Sequence, residues 1–239
     1  FYGIFKMNYK TVGLSVVLVF IVVAIIAYIL RDRTIHNVII DDTVFLADDV
    51  NLKYSYKLLP ESVEGEKYTF SFWININNIP ESAHWDSDVN IPKGIISHFD
   101  SPNVSYLVKE DILRVTIGYK DEGGLPGRYN FNLKDFRYQR WENILVVVDN
   151  RSVDVYINGK LDRSVFLPNV PWISNDNLYL GQAGNNFNGH VALVEYWNDA
   201  LTIDKVKSVY NKNKNKSVFS KKLTSYAEYY KKKMESSDI

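Results

Sequence analysis

The chain has 239 residues, 28 basic and 28 acidic side chains, and no cysteine. A formal net charge of zero removes the global field that draws proteins to nucleic acid. The absence of thiols excludes disulfides, cysteine-held zinc and thiol catalysis.

The first ten residues carry Phe1, Tyr2, Phe5 and Tyr9 with Lys6 and Lys10. Aromatics of this kind suit the interface beside a membrane span. The next 20 residues, Thr11 to Leu30, contain no charge. At helical rise they reach roughly 30 Å, the thickness of a hydrocarbon core. The predicted span opens at Thr11 and Val12, runs through Phe20 and closes at Leu30, with Arg31 directly after it. A buried core helix would keep a polar stripe, and a cleaved leader would have a shorter apolar run ending in a small-residue site. Neither pattern is present, so residues 1–33 read as a retained single-pass anchor. Lys6 and Lys10 on one flank balance Arg31 and Arg33 on the other, so the charge bias assigns no orientation.

Residues 34–210 read as one all-β domain, a size that such a fold accommodates. Val38-Ile39-Ile40 and Val44-Phe45-Leu46 are two short β runs split by Asp41-Asp42. In residues 67–76, Tyr68, Phe70, Phe72, Ile74 and Ile76 alternate with Thr69, Ser71, Trp73 and Asn75. That period predicts a strand with one buried face. Further strands are expected at Gly94–His98, Ser105–Val108, Ile112–Tyr119 and Tyr129–Leu133, with turns at residues 121–124 and at Pro126-Gly127. Ile144–Val148 is continuously apolar and predicts a strand covered on both faces. Asn158-Gly159, lying between two β patterns, is a hairpin turn that needs φ > 0 twice. It joins Val153–Ile157 to Leu161–Phe166. Asn177–Leu180 and His190–Trp197 are the last strands. Leu201–Val206 starts a helix, with Thr202 placed to cap it, Asp204 in its first turn and Leu201 stapled onto Val206.

Three of these stretches resemble the concanavalin A-like lectin/glucanase jelly rolls, in particular their laminin-G-like branch. They are Tyr68–Ile74, then Trp141–Val148 with Val153–Leu161, and finally Leu178–Gly181 with Phe187–Val191 and Val194–Leu201. The resemblance covers most of residues 60–210. It implies a two-sheet antiparallel jelly-roll sandwich that binds glycans or proteins, cleaves polysaccharide or holds assemblies together. One departure is Ala192, where the family often has an acidic residue.

Hydrolases of this fold carry a Glu-x-Asp-x-Glu or Glu-x-Asp-x-x-Glu strand, whose alternation sets two carboxylates at the separation a retaining glycosidase needs. No such triplet exists here, and Glu195 stands alone, read as a solvated face residue. The four histidines, His36, His84, His98 and His190, lie in no Ser/His/Asp pattern. His190 reads as a strand-end residue. Asp86, Asp88 and Asn90 give the opening of a calcium loop, but Ile91 and Ser97 stand where an EF-hand needs Gly and Glu. Calcium is therefore a weak candidate, and no other cofactor is expected. Trp73 and Trp141 read as packing residues, Trp85 and Trp172 as exposed contact residues.

Residues 211–239 form a lysine-rich tail in which Phe219, Leu223, Tyr226 and Tyr230 share one helical face. Phe219, Tyr226 and Tyr230 join the contact candidates, because a basic amphipathic helix suits a membrane surface or a partner. Cutting the tail off is expected to weaken attachment and leave the sandwich folded. Together these features point to a non-enzymatic tether between a bilayer and a protein layer. Composition and architecture resemble minor structural proteins of large DNA viruses with an internal membrane. In that setting the partners are the bilayer and capsid subunits, with no nucleic acid. A carbohydrate-binding surface lectin is the second reading and a glycoside hydrolase the third.

Overall fold

Lys67 and nine β-branched, aromatic and small polar residues after it, ending at Ile76, form the strand on which the domain is built. The computed structural model describes residues 16–26, 34–46, 50–62, 65–77, 92–98, 101–133, 137–173, 175–182, 189–220, 231 and 234–235. The chain divides into two units, Phe1–Thr34 and Ile35–Ile239. In the first, residues 16–26 are helical (α1) with their side chains exposed. Among the described residues no helix is long and apolar enough to cross a membrane. Phe20 lies in α1, while Thr11, Val12 and Leu30 fall outside the described residues.

The second unit is a sandwich of two six-stranded sheets. In chain order the strands are β1 (His36–Leu46), β2 (Leu52–Tyr54), β3 (Lys67–Ile76), β4 (Lys93–Ser97), β5 (Asn103–Leu107) and β6 (Ile112–Lys120). They continue with β7 (Pro126–Leu133), β8 (Glu142–Asp149), β9 (Ser152–Ile157), β10 (Lys160–Phe166), β11 (Leu178–Leu180) and β12 (Gly189–Trp197). Helix α2 (Ile203–Asn213) and a 3-10 turn at Ser217–Ser220 follow. One sheet runs β1-β12-β3-β8-β9-β10 and the other β2-β11-β4-β5-β6-β7. Every pairing between these strands is antiparallel. The inner faces supply the main core, with Phe70, Phe72, Ile74, Ile144, Val146, Val148, Val153 and Val155 from the first sheet. Val104, Leu113, Val115, Ile117 and Phe131 face them from the second.

The Asn158-Gly159 turn forms as predicted, with φ of 52° and 73°. A Cβ on Gly159 would meet Tyr210 of α2 at 3.2 Å. Gly159→Val should therefore cost at least about 1–2 kcal/mol from the left-handed backbone alone, read as a lower urea midpoint. An unchanged midpoint would contradict the left-handed hairpin turn at Gly159.

Four expectations are corrected. The runs around Asp41-Asp42 form one strand, β1, because two register shifts let an edge strand pass the exposed acidic pair. Pro126-Gly127 opens β7 and does not turn, since proline is tolerated at the first residue of an edge strand. Thr202 is the N-cap of α2, but its side chain makes no capping bond. The fourth concerns the outer face of β3, where Thr69, Ser71, Trp73 and Asn75 are all buried. α2 and the turn after it cover that face, so the strand alternates between two hydrophobic layers and not between core and water. Leu145, Val147, Tyr156, Trp197, Leu201 and Val206 make one part of the outer layer. Trp73, Ala192, Leu193 and Val218 make another, with Trp141, Tyr210 and Phe219 against them.

Candidate functional site

β12 departs from simple alternation. Its register against β3 shifts between Ala192 and Glu195, and Leu193 takes a φ of 47°. This bulge puts Ala192 and Leu193 on the same side and resets the order behind them. Val194 and Tyr196 then enter the main core, while Trp197 joins the outer layer beneath α2. Glu195 lies between Val194 and Tyr196 and so faces outward with Trp197.

The start of β1 is held beside it. Asn198 Oδ1 accepts the Ile35 N–H at 2.6 Å, and the Asn198 N–H donates to Ile35 O at 3.2 Å. His36 thereby stands opposite Trp197 in the ladder, its ring stacked on the indole at 4.4 Å. α2 closes the third side. Thr69 Oγ1 donates to Asp199 O at 2.8 Å and accepts the Leu201 N–H at 3.0 Å, which pins the chain just before the helix.

These three elements enclose a pocket of about 220 Å³. His36, Glu195 and Trp197 line it from the sheet, and Lys205, Lys212 and Asn213 line it from α2. Glu195 is 4% exposed and Asn213 1%. Asn213 Nδ2 donates to Glu195 Oε2 at 2.7 Å, and His36 Nε2 lies 3.3 Å from Glu195 Oε1. Glu195 is therefore not a solvated face residue: the helix that covers the sheet buries it, and an amide and an imidazole replace its water.

A second buried carboxylate, Glu142, lies at the start of β8 with Arg140 Nε 3.0 Å from its Oε1 and Asn158 Nδ2 on its Oε2. His190 stands at the start of β12 as a strand-end residue, buried with its ring near Phe45 and Trp141. Among the described residues no three His, Asp or Glu side chains converge to hold a metal. The calcium candidates Asp86, Asp88 and Asn90 lie outside the described residues, as do Trp85, Tyr226 and Tyr230. Trp172 is half-buried, with Lys120 Nζ 4.8 Å from its ring centre. Phe219 packs inward, 4.5 Å from Trp73 and 5.1 Å from Trp141 between ring centres. Its ring is engaged within the domain, and α2 itself continues past residue 210. Lys231, Met234 and Glu235 are helical and exposed.

Several tyrosines are held protonated. Burial, then the hydrogen bond to Asp111, pushes the Tyr106 hydroxyl above its ordinary range. Burial, then the charges of Glu61 and Glu66, does the same at Tyr196. The folded chain thus keeps protons that the unfolded chain releases near pH 10. Native proton uptake exceeds unfolded uptake there, so stability is complete below about pH 10 and falls as pH rises past it. Urea midpoints on either side of that value should show the decline, and Tyr196→Phe should flatten it.

No curated protein matches this chain in sequence. A family model described as the concanavalin A-like lectin/glucanases superfamily, of laminin-G type, matches residues 51–207. Among solved structures, the binding domain of botulinum neurotoxin serotype G superposes with a TM-score of 0.52 at 19% identity, covering 76% of this chain and 47% of that one. The receptor-binding domain of botulinum neurotoxin D gives 0.52 at 13% identity, covering 76% and 46%. The serotype D ligand-binding domain in complex with N-acetylneuraminic acid gives 0.53 at 14%, covering 77% and 45%. This chain thus spans less than half of each toxin domain, and at these identities the likeness is one of fold. The matched residues run from the strand that precedes the β3 core to the first turns of α2, and the chain belongs to the concanavalin A-like lectin/glucanase superfamily.

Proposed function

We propose that this protein is a membrane-anchored, non-enzymatic binding domain that tethers a bilayer to a partner outside it. In this reading residues 1–33 are the anchor, residues 34–220 the sandwich with its covering helix and turn, and the residues after 220 a basic extension. The observation that carries the reading is the uncharged stretch of Thr11–Leu30 joined through a few residues to β1 of a binding-type fold. Neighbours in structure are named as receptor- or ligand-binding domains, which supports contact as the mode of action. Retaining hydrolysis requires two carboxyl groups about 5–5.5 Å apart across the sugar bond. Glu195 has an amide and an imidazole beside it in place of a second carboxylate. A virion with an internal membrane, where the domain meets capsid subunits, is the setting this reading favours.

A glycan partner is the second reading. The observation behind it is the serotype D neighbour crystallised with N-acetylneuraminic acid. Two measurements on the full chain separate these ideas. Retention in the membrane pellet after carbonate extraction, with cross-links to a neighbouring protein, supports the tether. Release by carbonate without detergent would remove the anchor, and a glycan-array signal without protein cross-links would favour the lectin.

A further inference from the structure

We propose that the pocket between β1, β12 and α2 binds a small zwitterion carrying a primary ammonium group and, a few bonds away, an anionic group. The inner wall offers acceptors. Glu195 is a buried carboxylate whose Oε2 takes Asn213 Nδ2. The remaining neighbour of the carboxylate is the imidazole of His36, which is itself exposed. A nearly buried carboxylate lining the pocket, flanked by a neutral amide and an imidazole, calls for a cationic donor, and a primary ammonium brings three N–H groups with one charge.

The rim has the opposite character. Lys205 and Lys212 stand two turns apart on one face of α2, exposed, and neither makes an ion pair among the described residues. They suit a phosphate or carboxylate at the mouth. The volume of about 220 Å³ admits a small molecule. Phosphoethanolamine headgroups in a bilayer and free amino-phosphates in solution share this chemistry. The site stands independently of the anchor reading.

The test is calorimetric titration of the full chain in nonionic detergent with O-phosphoethanolamine. Binding is expected, and phosphocholine, which lacks N–H donors, and ethanolamine, which lacks the anion, should each bind at least about tenfold more weakly. Glu195→Gln keeps the shape and should weaken O-phosphoethanolamine about tenfold. Lys205→Ala, at an exposed position, should also weaken it with the unfolding midpoint unchanged, and decides the matter if Glu195→Gln does not fold. Repeating the titration in phosphatidylcholine nanodiscs with and without phosphatidylethanolamine distinguishes the source. Loss of soluble binding only in the phosphatidylethanolamine discs identifies the headgroup, whereas equal binding in both identifies a soluble ligand, and either supports the site. Absence of O-phosphoethanolamine binding, equal affinity for phosphocholine, or affinity unaffected by both substitutions would overturn it.

Discussion

Trp73→Ala should destabilise the domain by about 3–5 kcal/mol, as large a loss as an aromatic deletion in a protein core. By position in β3 it points away from the sandwich interior, where a solvated strand face would make the change cost at most about 0.5 kcal/mol. Here its indole is 3% exposed and lies 5.7 Å from the Tyr210 ring and 4.5 Å from the Phe219 ring. Removing it takes away the surface on which α2 and the Ser217–Ser220 turn rest. A drop in the urea midpoint with loss of helical signal at lower denaturant is the expected result. A near-neutral change would mean that the C-terminal segment does not sit on this sheet.

The adjacent substitution, Phe72→Ala, should cost a similar 3–5 kcal/mol, but through the other layer. Phe72 is fully buried among residues of both sheets. Its loss opens a cavity in the middle of the sandwich that close-packed β-branched neighbours fill poorly. Two neighbouring residues with equal cost and opposite faces are the signature of a strand packed on both sides. The slope of stability against urea should stay at the wild-type value in Phe72→Ala, since the surface exposed on unfolding is unchanged. A cost below about 1 kcal/mol would contradict the assigned register of β3 against β8.

Most strands were legible because period-two patterns and the Asn-Gly turn are local signals. The β3 alternation, the Ile144–Val148 run and the β9–β10 hairpin all follow from residues within a few positions of one another. The outer layer was harder to read, because it depends on contact between α2 and strands far away in sequence. Thr69, Ser71 and Asn143 look like solvent-facing residues until the helix covers them. Asn143 Nδ2 instead donates to Ser71 Oγ and Phe72 O, both at 3.1 Å. A signal was present: Val206, Val209, Tyr210 and Asn213 fall on one helical stripe, and an amide within an apolar stripe marks a buried polar contact.

The pocket was illegible for a further reason. Alternation along β12 would set Val191, Leu193, Glu195 and Trp197 on one face. The bulge at Leu193 breaks that order and separates Val191 from Glu195. No residue type announces the bulge, since leucine rarely takes positive φ. Nor did the lysine-rich composition after residue 210 reveal that its first part belongs to the domain. Val218 and Phe219 pack on the outer layer, and Thr43 Oγ1 lies 3.4 Å from Val218 O. A truncation meant to test the tail therefore has to begin after residue 220, because a cut at 210 would strip Asn213 from Glu195 as well.

The claim that the chain acts by contact and not by turnover is tested most directly by measuring new reducing ends when the purified full chain is incubated with β-glucan. No release above background is the predicted result, unchanged by Glu195→Gln. Sustained release by the wild-type chain, abolished by Glu195→Gln in a variant that retains its unfolding midpoint, would contradict it.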